Sequence, residues 1–172
     1  MIIHYAPVDS PLGRFFLAQH ENGLCCLSLG VGAKEKLFFY IKKVFPTAEL
    51  KTSKPILKET IQQLSEYFSG VRTDFDMKLF LSGTEFQKQV WKGLMEIPYG
   101  KTISYGALAT SLNSPGSMRA VGAANGQNPI PIIIPCHRVI ASDGSLGGYT
   151  GGLGIKRKLL DLEQQKYTPT LF

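Results

Sequence analysis

Ser82-Gly83-Thr84-Glu85-Phe86-Gln87 separates two stretches of chain with different patterning. Thr84 can cap a helix, and Gln87, three residues on, can return the bond to the Thr84 backbone, which is the reciprocal pattern of a capping box. Phe86, Val90, Leu94 and Ile97 then recur at helical spacing until Pro98-Tyr99-Gly100 stops the run. A new packing unit therefore starts here, and the chain divides into residues 1–81 and 82–172, a mixed α+β organisation.

Downstream of that helix, Ser104 can cap a helix over 105–112 with Leu108 and Leu112 facing inward. Asn113-Ser114-Pro115-Gly116 reads as a turn, and 117–125 as a further helix ending at the Asn125-Gly126 breaker. Two short helices joined by a tight turn make a helix-turn-helix candidate, although all-α regions in general contain such pairs. The second helix is nearly bare: Ala120, Gly122, Ala123 and Ala124 follow Ser117 and Met118, with Arg119 the one long polar group near its start. That composition suits close helix packing in a core. It equally suits a helix laid against a nucleic-acid groove, with the Arg119 guanidinium taking the place of an extruded base.

Upstream of the break, 2–7 and 14–19 read as strands, Glu21-Asn22-Gly23 as a turn, and 24–29 as a strand returning antiparallel. Leu37, Ile41 and Val44 form one stripe of a helix over 33–44. A second helix fits 55–69, with Gly70 placed to end it. A short strand near 77–81 completes a small antiparallel sheet covered by helices. This half carries no recognisable chemistry.

The 172 residues are enough to bury a core, and no apolar run approaches the roughly 18 residues of a membrane span. The N-terminus lacks the features of a signal peptide, so a soluble, cytoplasmic protein is expected. Cys25 and Cys26 are neighbours and Cys136 stands alone, which is no disulfide framework. Of the net charge of +6, residues 1–80 contribute 10 basic against 8 acidic groups, and residues 81–172 contribute 9 against 5. Between Glu96 and Asp143 there is no acidic residue, while Lys101, Arg119 and Arg138 lie inside that window. A surface built from it would not repel a polyanion.

The densest chemistry lies in Asn128-Pro-Ile-Pro-Ile-Ile-Ile-Pro-Cys-His-Arg138. The run is apolar, yet its prolines remove ladder donors, so it should be a stiff, buried, irregular segment. Asn128 can tie one turn to another, or merely open a turn before Pro129. Cys136 ends the segment. A cysteine after an apolar run is commonly inert, but His137 and Arg138 beside it could each favour the thiolate. Adjacent side chains of an extended strand point apart, so His137 must reach Cys136 through a turn or a water. Glu163 is the candidate to hold the imidazole, beside the stripe Ile155, Leu159 and Leu162 of a C-terminal helix. The glycine-rich stretch 144–153 lacks the Lys and spacing of a phosphate loop. It suits the wall of a pocket for a flat ligand, with Tyr149 packing on it and Thr150 bonding an exocyclic oxygen.

Pro135-Cys136-His137-Arg138-Val139, with Tyr99-Gly100, Ser104-Tyr105, Arg119-Ala-Val-Gly122, Asn128-Pro129 and 149–152, resembles the O6-alkylguanine-DNA alkyltransferases. The likeness runs from Phe86 to Glu163, about half the chain, and the cysteine motif is highly specific. It implies a ribonuclease-H-like N-terminal domain followed by a mainly helical domain with a winged-helix-like helix-turn-helix. It implies DNA repair: irreversible transfer of one alkyl group from O6-methylguanine, less efficiently from O4-methylthymine, to Cys136. By the same resemblance His137 activates Cys136 through a water, Glu163 completes the relay, and Tyr105 crowds the 3′ phosphate and protonates the leaving base. Arg119 fills the gap in the stack, with Ser117, Met118, Gly122 and Ala123 on the DNA side. Asn128 is the hinge, Tyr149 and Thr150 wall the pocket, and the carbonyls of Cys136 and Val139 read the guanine edge.

A single displacement at carbon needs no cofactor, so none is expected. The partner implied is double-stranded DNA approached from the minor groove, by a monomer. No metal is expected either, since His4, His20, Cys25 and Cys26 lack ligand spacing. The tail Thr168-Pro-Thr-Leu-Phe172 resembles short peptides that dock on sliding clamps, against the plainer expectation that it packs on the fold. Two other functions fit parts of the pattern: a Cys-His hydrolase, which would turn over, and a helix-turn-helix protein that only recognises lesions.

Overall fold

A computed structural model describes residues 1–165. They form two compact units, Met1–Ser82 and a second that begins at Gly83.

In the first unit, β1 (Ile2–Ser10), β2 (Gly13–His20) and β3 (Gly23–Ser28) form the antiparallel meander. Gly23 is required at the second turn: its φ is +141° and a Cβ there would lie 2.6 Å from the Lys78 carbonyl oxygen. α1 (Ala33–Val44) lays Leu37 and Ile41 on this sheet, in a core with Ile3, Ala18, Cys25, Cys26 and Phe45. Burial pushes the Cys25 thiol up to about 12 and raises Cys26 further, so both are protonated at neutral pH. α2 (Lys58–Phe68) ends with Gly70 at a φ of +78°, as its position past the last stripe residue requires.

Two expectations are corrected here. The strand near 77–81 is a single bridge from Leu79 to Leu24, with Lys78 and Phe80 supplying one backbone bond on each side. The fourth strand is instead β4 (Glu49–Thr52), which pairs parallel with β1 and makes the sheet mixed, in the order β3-β2-β1-β4. β4 is a polar, mostly exposed edge strand, which is why no hydrophobic alternation marked it. α2 also starts three residues later than the periodicity suggested, because residues 54–58 form turns around Pro55.

The second unit opens with α3 (Glu85–Met95). Its capping box is formed as expected, with the Gln87 amide donating to Thr84 Oγ1 and the Thr84 amide to Gln87 Oε1. β5 (Ile103–Ser104) leads into α4 (Tyr105–Ser111), whose cap is Ser104. Asn113 sits at a φ of +57° in the turn before α5 (Met118–Gly126), which runs one residue past the expected end. α5 is held by Trp91 of α3, whose indole N–H donates to the Ala124 carbonyl at 2.9 Å. β6 (Val139–Ile140) pairs parallel with β5, and α6 (Leu153–Glu163) completes the unit. No helix among the described residues is long and apolar enough to cross a membrane. The C-terminal residues 168–172, for which clamp docking was considered, lie outside the described residues.

Candidate active site

The segment before Cys136 is stiff and buried, as its prolines imply. Ile130, Ile132 and Ile134 are buried, and the Ile134 amide donates to the Ile130 carbonyl. Asn128 closes the loop from inside: its Oδ1 accepts from the Ile130 amide at 2.9 Å and its Nδ2 donates to the Ile134 carbonyl at 2.8 Å. Ile132 is held at a φ of +75°, an unfavourable conformation for a β-branched residue that persists because the loop around it is so fully bonded.

Cys136–Arg138 is a single 3₁₀ turn, which places the His137 side chain on a different face from Cys136 without an extended strand. His137 is fully buried, with Nε2 2.7 Å from Glu163 Oε1. Its Nδ1 is buried and meets no hydrogen-bond partner among the described residues. Arg138 donates from Nε and Nη2 to the two oxygens of Glu163, at 2.8 and 2.9 Å, and from Nη1 to the Ile97 carbonyl. The Gly100 amide donates to Glu163 as well, at 3.2 Å. Burial by itself would raise the Glu163 carboxyl, but bonds from His137 and Arg138 outweigh it and hold the group far below the usual carboxylate range. Burial lowers His137, against the pull of Glu163, so the imidazole is neutral. The Arg138 guanidinium, which donates to both carboxylate oxygens, is then the partner that keeps Glu163 ionised.

Arg138 is therefore not the cation beside the thiol. That place belongs to Lys156, which is fully buried and donates to the carbonyls of Val139 at 2.7 Å, Gly148 at 3.1 Å and Leu146. Burial pushes the Cys136 thiol up to about 11; bonding to Asn128 and the charge of Lys156 oppose that rise. Burial brings Lys156 down to about 8, with Cys136 opposing.

Cys136 opens on a cavity of about 270 Å³ lined also by Tyr105, Gly122, Asn125, Gly126, Gly148, Tyr149 and Thr150. Glycine is needed at Gly147, where φ is +68° and a Cβ would meet the Tyr105 ring at 3.2 Å. Thr150 Oγ1 donates to the Gly126 carbonyl at 2.9 Å, tying the glycine loop to the end of α5. The Tyr149 hydroxyl is buried against Cys136 without a hydrogen bond of normal geometry, and burial and the thiolate's charge raise its ionisation far above 10.0. Tyr105 is raised for the same two reasons. Of the residues expected at the site, Cys136, Tyr105, Gly122, Tyr149 and Thr150 share this cavity; His137 and Glu163 lie behind it. Met118, Arg119 and Ala123 are exposed, Ser117 is half-buried, and Val139 is buried beneath Lys156.

The family described as 6-O-methylguanine DNA methyltransferase matches both halves, its DNA-binding domain over residues 85–165 and its ribonuclease-like domain over 3–81. The chain belongs to that methyltransferase family. The methylated-DNA–protein-cysteine methyltransferase of Mycobacterium tuberculosis is 45% identical over 166 residues, spanning 96% of this chain and 94% of the relative. That of Methanosarcina barkeri is 47% identical over 162 residues, spanning 94% and 98%. The crystal structure of the M. tuberculosis O6-methylguanine methyltransferase superposes with a TM-score of 0.83 at 43% identity, covering 96% of this chain and 94% of that one. The M. tuberculosis protein in complex with DNA superposes at 0.80 with 42% identity, covering 95% and 94%.

Two residues of this methyltransferase site went unnoticed in the sequence. Lys156 was signalled by spacing: the buried face of α6 is Lys156, Leu159, Leu160, Leu162 and Glu163, so Leu159 and Leu162 face inward as expected but the stripe starts at Lys156 and not at half-buried Ile155. A lysine at a core position of a helix is a flag in itself. Asn125, which its pairing with Gly126 marks only as a helix end, falls on the α5 face formed by Val121 and Ala124.

Proposed function

We infer that this protein repairs DNA by moving the alkyl group of O6-methylguanine onto Cys136. The carrying observation is a buried thiol at the wall of a cavity bounded by Tyr105, Tyr149 and glycine backbone, in a chain of this family. The thiolate attacks the alkyl carbon, a carbon–sulfur bond forms as the carbon–O6 bond breaks, and the electron pair returns to the guanine ring. A proton reaches that ring from Tyr105, and the product is a thioether that nothing in the site can cleave. The protein is consumed in one transfer.

With the thiol held up by burial, activation needs a proton acceptor when substrate is bound. His137 is neutral, and Glu163 and Arg138 fix its ring with Nδ1 left over, so a water between Nδ1 and the thiol completes a relay. Asn128 and Lys156 stabilise the thiolate once formed. Binding places double-stranded DNA along the exposed small-residue face of α5 from the minor-groove side, with Arg119 entering the stack and Ser117, Met118, Gly122 and Ala123 against the backbone. Tyr149 packs on the extruded base and Thr150 bonds O6 from its backbone amide, its hydroxyl proton being given to Gly126. The protein acts as a cytoplasmic monomer, and O4-methylthymine is the poorer substrate.

Intact mass after incubation with excess O6-methylguanine duplex tests this. One methyl per molecule, mapped to Cys136, is the expected end point. Multiple turnovers would instead indicate the hydrolase-like reading, and an unmodified protein that still binds the lesion would indicate a recognition module.

A further inference from the structure

We propose that the outer face of α1 binds single-stranded DNA, with the Phe39 ring as a stacking platform for one base and Lys36, Lys42 and Lys43 on the phosphates beside it. It is a second nucleic-acid contact, on the unit that holds no residue of the alkyl-transfer site.

α1 keeps Ala33, Leu37 and Ile41 buried, so the other side of the helix faces solvent. Six of its residues are exposed: Lys34, Glu35, Lys36, Phe39, Lys42 and Lys43. By helical spacing Phe39 falls almost opposite the buried stripe, and it is 73% exposed, where a surface helix normally carries a polar group. Its neighbour Phe38 is accounted for, packed edge-on against Tyr5 and lying under Lys34. Lys36, Lys42 and Lys43 stand three or four residues from Phe39, which puts them within one turn of it on either side. None of the three makes an ion pair among the described residues. Glu35, the one acid on this face, lies in the first turn, where the positive end of the helix accommodates it. The helix dipole likewise accounts for Lys42 and Lys43 in the last turn, but for neither Lys36 nor the exposed ring.

The chemistry of the face selects its partner. The ammonium groups call for an anion, and the ring calls for an anion that carries flat apolar faces. The outer face of a helix is convex and offers no groove for the side chains of an acidic protein. A single Phe is also too little apolar surface to hold a helix in a lipid layer. In duplex DNA the faces of the bases are covered by their neighbours, whereas an unpaired strand leaves them open to an aromatic side chain.

Phe39→Trp gives this face its own reporter, because the chain's single tryptophan, Trp91, is 2% exposed and a wild-type titration supplies its background. The added emission should fall about twofold with an oligothymidylate of about twelve nucleotides, a length within the site size of single-strand modules. An abasic strand of the same length and polyglutamate of the same charge should each need about tenfold more to restore it, the worth of one stacked base. Adding Lys42→Gln and Lys43→Gln should reduce the slope of log affinity against log salt by about 1.4, the value for two single-strand phosphate contacts. All three positions are exposed, where substitution costs little stability. Emission that oligothymidylate leaves unchanged overturns the proposal, as does a salt slope that the lysine substitutions do not move. Polyglutamate or the abasic strand competing as well as oligothymidylate also overturns it, and would make the face a site for acidic partners at large. None of these readings involves Cys136, so they stand apart from alkyl transfer.

Discussion

At Cys136 the free protein holds a thiol that burial pushes up to about 11, so at neutral pH it is almost wholly protonated. Carbamidomethylation of Cys136 by iodoacetamide should therefore rise about tenfold per pH unit above pH 7 and level off near 11, where an exposed thiol levels off near 8.5. A plateau below pH 9 would show that the thiolate is already favoured without DNA. The carboxylate behind it behaves oppositely. Because the folded state depresses Glu163, its ionisation contributes stability at any pH above the ordinary value of 4.5, and that contribution is lost as pH falls below it. Glu163→Gln leaves Arg138 buried without its counter-charge and should cost about 3 kcal/mol at pH 7. In urea titrations the gap to wild type should narrow below pH 4.5 and stay constant above it; a gap independent of pH throughout would mean that the charge of Glu163 is not what stabilises.

Among the elements, α5 carries the DNA hypothesis. Its outward side chains are Met118, Arg119, Ala120 and Ala123, and its inward ones Val121, Ala124 and Asn125. If Arg119 holds open the gap left by an extruded base, Arg119→Ala should slow transfer from duplex DNA about 100-fold, the scale of a flipping cost of a few kcal/mol. The loss on free O6-methylguanine base should be far smaller, and equal losses on both would place Arg119 in the chemistry of the pocket. These elements were legible where side-chain spacing and capping rules apply. The Thr84 and Ser104 caps, the Gly70 terminus and the inner stripe of α3 could all be read from local pattern. β4 was not, since an edge strand such as Glu49-Leu50-Lys51-Thr52 has no buried face to leave a period. At the site, Cys136, His137 and Glu163 stood out by residue type. The exchange of duties between Arg138 and Lys156 did not, because it depends on α6 bringing Lys156 under the Val139 carbonyl from 17 residues away in sequence.

For the molecule as a whole, the relevant quantity is charge that faces solvent, which differs from charge counted along the chain. Of the three cations in the acid-free window, Arg138 is buried on Glu163, leaving Lys101 and Arg119 exposed. Two phosphate contacts alone give a slope of about −1.8 in log affinity against log salt, roughly a tenfold loss of affinity between 50 and 200 mM. The second-order rate of transfer from a short lesion-bearing duplex should fall by at least that factor, and more steeply if Lys92, Arg157 and Lys158, also exposed on this unit, join in. Iodoacetamide labelling of Cys136 should change little over the same range, since a neutral reagent releases no counterions. A salt-independent transfer rate would mean that the base pocket, and not the basic surface, supplies the affinity for DNA. A slope well beyond −4.5, the value for five such contacts, would require cations beyond these five.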